Sequence, residues 1–218
     1  MKAADIINHL KSLKNQKNID GMARFGISSP NILGISIAVL RPYAKTIGKN
    51  HELAQELWES GIHEARLLAA FIEEPDKVAE NQMEKWTADF HSWDICDQVC
   101  SNVFDKTPYA YKKAFEWAER NEEFVKRAGY VMMAVLAVHD KKAEDKKFIQ
   151  FFPLLKKGSI DERNFVKKAV NWAIRQIGKR NGNLRSKAIL LSEELLQTDS
   201  KSAKWIARDA IRELSLRH

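Results

Sequence analysis

Along the chain, apolar residues return every three or four positions and almost never every two. Ile6, Ile7, Leu10 and Leu13 set the pattern; Leu53, Leu57 and Trp58, then Phe115, Trp117 and Ala118, then Ile189, Leu190, Leu195 and Leu196 repeat it. Such spacing lays an apolar stripe along one side of a helix, whereas a half-buried strand needs alternation, and no sustained alternation is present. The pattern predicts an all-α chain. Helices of roughly ten to eighteen residues are expected, separated by polar breaks such as Glu74-Pro75-Asp76, Asn121-Glu122-Glu123 and Lys157-Gly158-Ser159.

A weak repeat lies inside this pattern. Phe124-Val125-Lys126-Arg127-Ala128 aligns with Phe165-Val166-Lys167-Lys168-Ala169 and with Trp205-Ile206-Ala207-Arg208-Asp209-Ala210, so that Arg127, Lys168 and Arg208 recur 41 and 40 residues apart. Glu64-Ala65-Arg66-Leu67-Leu68-Ala69 and Ser92-Trp93-Asp94-Ile95-Cys96-Asp97 read as degenerate earlier copies. A period near 40 is that of stacked HEAT or armadillo helix pairs. The expectation is one α-solenoid domain over residues 1–218, whose successive inner helices line a concave surface. Arg127, Lys168 and Arg208 would then form a basic track, flanked by Lys126, Lys167, Arg175, Lys179, Arg180, Arg185, Lys204 and Arg212.

Charge sharpens this. Residues 1–109 hold 12 Lys and Arg against 15 Asp and Glu, a net of −3, whereas residues 110–218 hold 24 against 14, a net of +10. The second half is the candidate surface for a polyanion, and nucleic acid is the commonest one. The balance of 44% hydrophobic and 30% charged residues argues against disorder. No run approaches the roughly 18 apolar residues of a membrane span, and the opening Met1-Lys2-Ala3-Ala4-Asp5 has no apolar signal core, so a cytoplasmic location is expected. Cys96 and Cys100, four apart, read as small core thiols. With only His91 nearby, they make a poor zinc set, and neither metal nor cofactor is expected.

Candidate chemistry gathers on two predicted helices. Trp93 and Asp97 share a face at i,i+4, off the line of Cys96, Cys100 and Val103, while Lys168 and Trp172 share a face in the same way. A mid-helix aspartate away from the core has no capping task, which Ser92 or Asp94 is better placed to perform, so Asp97 is the catalytic candidate. Trp93 and Trp172 would supply ring faces that attract a cation. Trp58, Trp86, Trp117 and Trp205 are assigned to packing.

These residues together resemble the bacterial DNA alkylation repair glycosylases of the AlkD type, which are built from HEAT-like repeats. The matching stretches are Met22-Ala23-Arg24-Phe25, Trp93-Asp94-Ile95-Cys96-Asp97, Lys126-Arg127-Ala128 and Lys168-Ala169-Val170-Asn171-Trp172-Ala173-Ile174-Arg175. The resemblance implies hydrolysis of the N-glycosidic bond of cationic N3- or N7-alkylpurines in duplex DNA, without extrusion of the base into a pocket. It implies that Asp97 is the catalytic carboxylate, that Trp93 and Trp172 contact the sugar-phosphate of the damaged nucleotide, and that Arg127 lies beside them on the backbone. Lys126, Lys167, Lys168, Arg175, Lys179, Arg208 and Phe25 are the further DNA-binding candidates. The partner implied is alkylated duplex DNA, in a bacterial cytoplasm at the nucleoid, with no membrane and no obligatory protein partner. Phe25 stands where better-known members of that family carry tyrosine, so one hydroxyl contact to DNA is missing, and Gly26-Ile27-Ser28-Ser29-Pro30 is shorter than expected. A non-catalytic module for bulged or branched DNA is therefore the alternative reading, and a peptide-binding scaffold the third.

Overall fold

A computed structural model describes residues 2–216. The described residues are helical, with mostly short connections and no strand, as the 3.6-residue periodicity predicts. They fall into two compact units, Met1–Thr107 and Pro108–His218. The α-helices range from 5 to 17 residues. Several are shorter than expected, closing after two or three turns.

The first unit contains α1 (Ala3–Ser12), α2 (Gln16–Ala23), α3 (Ile37–Ile47), α4 (His51–Glu59), α5 (His63–Ile72), α6 (Glu80–Ala88) and α7 (Trp93–Asn102). Asn15 and Asn50 start α2 and α4 by accepting the backbone N–H of Asn18 and Leu53, the usual side-chain substitute for missing helical partners. Helices α3, α5 and α7 pack side by side, and α4 backs α5. Behind them the rings of Trp58 and Trp86 stack 4.1 Å apart and continue to Phe90 and Phe104.

A buried carboxylate fixes the long loop between α2 and α3. Glu64, fully buried on α5, accepts the backbone N–H of Leu33 (2.8 Å), Gly34 (2.6 Å) and Ile35 (3.2 Å). Asn18 Nδ2 donates to the Gly34 carbonyl (2.9 Å), and the Asn15 N–H donates to that of Leu33 (2.8 Å). Gly34 has φ +77°, and a Cβ there would lie 2.3 Å from the Asn15 carbonyl oxygen, so only glycine fits.

The second unit contains α8 (Ala110–Ala118), α9 (Glu123–His139), α10 (Asp145–Ile149), α11 (Phe152–Gly158), α12 (Asn164–Gly178), α13 (Gly182–Leu196) and α14 (Lys201–Ser215). Here α9, α12 and α14 form one layer, with α8, α11 and α13 behind. Gly129 lets α9 approach α8 closely: a Cβ would meet the Ala118 nitrogen at 2.3 Å. The aligned repeat segments open α9 and α12 and lie in the second and third turns of α14. Phe124 and Phe165, equivalent in the repeat, have ring centroids 5.5 Å apart.

No helix among the described residues is long and apolar enough to cross a membrane. Replacing Glu64 by alanine strands three buried N–H groups and should cost about 3 kcal/mol or more. Urea unfolding of the full chain measures it, and an unchanged midpoint contradicts the clamp.

Candidate functional site

Helix α7 divides its faces as its sequence requires. Ile95, Cys96, Val99 and Cys100 are fully buried, whereas Trp93 and Asp97, one turn apart, are half-buried on another side. Both cysteines are free thiols, and burial, with Cys96 beside it, pushes the Cys100 thiol well up, so it stays protonated. They are core residues.

Trp93 is tied to the amino-terminal loop. Its Nε1 donates to the Phe25 carbonyl at 3.0 Å, while the Phe25 side chain is 73% exposed. An exposed ring of that size on an anchored backbone is available for stacking. Beneath it runs a groove of about 600 Å³ whose walls include Met22, Phe25, Ile27, Ile35, Leu67 and Trp93. Two of the residues selected from the sequence, Phe25 and Trp93, thus meet within the first unit.

Asp94 does not serve as a cap. Its Oδ2 lies 2.8 Å from Nε2 of His63, and both residues are buried. Burial alone would raise the Asp94 carboxyl, but the hydrogen bond to His63 outweighs it and holds it below its usual range. The pair braces the first turn of α7, where Trp93 sits, against the first turn of α5. His91 is held low chiefly by burial. Among the described residues no three His, Cys, Asp or Glu side chains converge to hold a metal ion.

In the second unit the recurring cations have different surroundings. Lys168 and Arg208 are exposed, and among the described residues neither pairs with a carboxylate. Arg127 is only 5% exposed, and its Nη1 donates to the Phe165 carbonyl at 2.6 Å, joining α9 to α12. Trp172, a turn beyond Lys168, is half-buried.

Several flanking cations already hold carboxylates. Lys126 meets Asp161 at 3.2 Å. Arg175 reaches Glu213 at 2.5 Å and Asp209 at 3.4 Å, and Lys179 also pairs with Glu213. Arg180 donates to the carbonyls of Ala137 and Ala143 and lies over the Phe148 ring, closing off the end of α9. Trp205 differs from expectation: it is 41% exposed, with Lys167 Nζ 5.1 Å from its ring centroid, because its position turns outward from the α14 core stripe of Ala203, Ile206 and Ala210.

Asp161 joins three helix starts. It takes two side-chain hydrogen bonds from Arg163 (2.9 and 2.6 Å) as well as the Lys126 ammonium, and its carbonyl accepts the Ser202 hydroxyl at 2.8 Å. Burial would raise its carboxyl, yet Arg163 and Lys126 bring it down to about 2.

Sequence reading missed Glu64 and the His63–Asp94 pair. The available signal was a carboxylate immediately before Ala65 and one turn ahead of Leu67 and Leu68 on the same helix: a charge on a core face needs a partner.

The fold is that of an all-helical, HEAT-like repeat protein. The chain belongs to the DNA alkylation repair enzyme family, whose pattern it matches over residues 6–214. It is similar to uncharacterised proteins of Listeria innocua (29% identical over 125 residues) and Listeria monocytogenes (27% over 125 residues). In each case 56% of this chain matches 56% of the relative, so the chain spans little more than half the length of the curated relatives it matches. A solved structure described as a new family of proteins related to the HEAT-like repeat DNA glycosylases, with affinity for branched DNA structures, superposes with a TM-score of 0.80. That match is 20% identical and covers 97% of this chain and 95% of the other.

Asp161 generates a pH prediction. The unfolded chain takes up a proton near pH 4, the folded one at about 2, so the stability Asp161 contributes is complete above pH 4 and is lost on acidification toward 2. Asp161→Asn should flatten that decline in denaturation measured against pH; an unchanged acid limb contradicts the assignment.

Proposed function

We propose that this protein is a monofunctional DNA glycosylase that releases cationic N3- or N7-alkylated purines from duplex DNA. The observation that carries the reading is the Trp93–Asp97 pair, an aromatic ring and a carboxylate one turn apart on the side of α7 turned away from the core cysteines. Family membership supports it.

The chemistry asks little of the protein. A cationic purine leaves with the electron pair of its own glycosidic bond and becomes neutral, so no general acid is required. As that bond breaks, positive charge grows on the deoxyribose. The Asp97 carboxylate stabilises this charge and accepts a proton from the water whose oxygen bonds to C1′. The Trp93 ring face adds a cation–π term of about 1 kcal/mol. In the second unit, Lys168, Arg208 and Lys167, which lies over the Trp205 ring, are assigned to backbone phosphates, joined by Lys126, Arg175 and Lys179 when DNA displaces their carboxylate partners. Trp172, half-buried a turn beyond Lys168, is assigned to DNA with it, while Arg127, buried and bonded to the Phe165 carbonyl, holds α9 to α12 beneath them. No cofactor enters the scheme.

A second reading is supported by Phe25, which lacks the hydroxyl of a tyrosine there, and by the described affinity of the structural relative for branched DNA. On that reading the protein binds junctions without excision.

Release of 7-methylguanine and 3-methyladenine from methylated duplex DNA separates the two. Wild type should release both, and Asp97→Asn should slow release on the order of a hundredfold. Equal release by both proteins removes Asp97 from the mechanism, and no release by either, with tight junction binding, establishes the second reading.

A further inference from the structure

The acidic first unit holds a cationic hollow that charge counting concealed. Arg41 and Lys45 on α3, Lys49 just past its end, Phe71 of α5 and Asn102 of α7 line a cavity of about 560 Å³, and no acidic side chain lines it. Among the described residues neither Arg41 nor Lys45 pairs with a carboxylate.

The hollow is partly ordered in advance. The Arg41 guanidinium lies 4.6 Å from the Phe71 ring centroid, and its Nη2 donates to Gln98 Oε1 at 2.9 Å. Lys49 Nζ donates to the carbonyls of Phe71 (3.0 Å) and Glu73 (2.8 Å). Burial, and then repulsion from Lys106, hold the Lys49 ammonium below its ordinary value. Arg41, Lys45, Lys49 and the neighbouring Lys106 gather on one edge of a unit of net charge −3; Glu73 and Glu74 offset part of the repulsion at Lys49, and an anion between Arg41 and Lys45 relieves the rest.

Position indicates which anion. Gln98, which holds Arg41, directly follows Asp97 on α7, and Asn102 lies about 7.5 Å beyond Asp97 along the helix axis at 1.5 Å per residue. That is about two nucleotide steps at ~3.4 Å of rise each. We infer that Arg41, Lys45 and Lys49 form a phosphodiester-binding site, which grips the DNA strand one or two nucleotides from the sugar held at Trp93 and Asp97. The inference rests on the DNA reading of Asp97's face and extends DNA contact to the half of the chain with the wrong net charge for it. Arg41 acts through geometry as well as charge, since its planar fork is fixed by Phe71 and Gln98 before DNA arrives.

The test is the salt dependence of duplex binding by the full chain. Arg41→Gln/Lys45→Gln should lower the slope of log affinity against log salt by about 2, close to one for each phosphate no longer neutralised, and weaken binding at least tenfold at moderate salt. The control Lys77→Gln/Lys85→Gln removes the same charge from exposed ion pairs elsewhere in the unit and should keep the wild-type slope. Equal slopes for wild type and the Arg41/Lys45 variant overturn the inference, as does an equal fall in the control, which would mark a net-charge effect. So does a variant that loses binding to phosphatidylserine vesicles while its DNA slope is unchanged. Base release is read separately: wild type that binds with the full slope yet excises nothing sinks the proposed chemistry and leaves this site standing.

Discussion

The first unit depends on one buried carboxylate. Glu64 sits where an apolar residue would be expected, and three backbone N–H groups of the Leu33–Ile35 turn converge on it. Hydrogen bonds to a charged acceptor in a low-dielectric interior are among the stronger polar interactions available to a protein. Their effect is to turn a long connection into a fixed wall. The same loop carries Phe25, whose carbonyl receives the Trp93 indole N–H, so the amino-terminal loop and α7 are positioned as one piece. His63, one residue before Glu64, secures Asp94 next to Trp93. Two adjacent residues of α5 therefore orient both the exposed Phe25 ring and the tryptophan that accompanies Asp97.

The second unit uses charge differently. Its net of +10 is not spread evenly over a track, because Asp161, Asp209 and Glu213 engage several cations of the α9–α12–α14 layer. Those pairs fix helix starts and align neighbouring helices. Cations without carboxylate partners, Lys168 and Arg208 among them, remain open to an anion. In the first unit the reverse holds: its net charge is negative, yet its hollow at Arg41 and Lys45 is locally positive. Net charge per half describes long-range attraction, and local pairing determines which residues can hold an anion.

Much of the architecture was legible in the sequence. Helical periodicity identified the class, and the 40-residue recurrence marked α9, α12 and α14 as equivalent helices, because a stacked repeat must return the same side chains to the same layer. The split faces of α7 followed from simple i,i+4 spacing. What escaped was long-range: Glu64 meets backbone 30 residues away, His63 meets Asp94 across a helix pair, and Arg41 meets Gln98 57 residues later. Backbone acceptors and donors carry no residue identity for a sequence to display. Trp205 was misread for a related reason, since its outward direction is set by helix rotation within the layer and not by its apolarity.

The central claim is electrostatic: Asp97 assists departure of a base that already carries positive charge. Its most direct measurement compares release of 7-methylguanine and of hypoxanthine, a neutral purine lesion of similar size, from otherwise identical duplexes under single-turnover conditions. The account predicts release of the cationic base with no detectable release of the neutral one. Comparable rates for both would contradict it, because a neutral leaving group requires a proton donor that this mechanism does not contain.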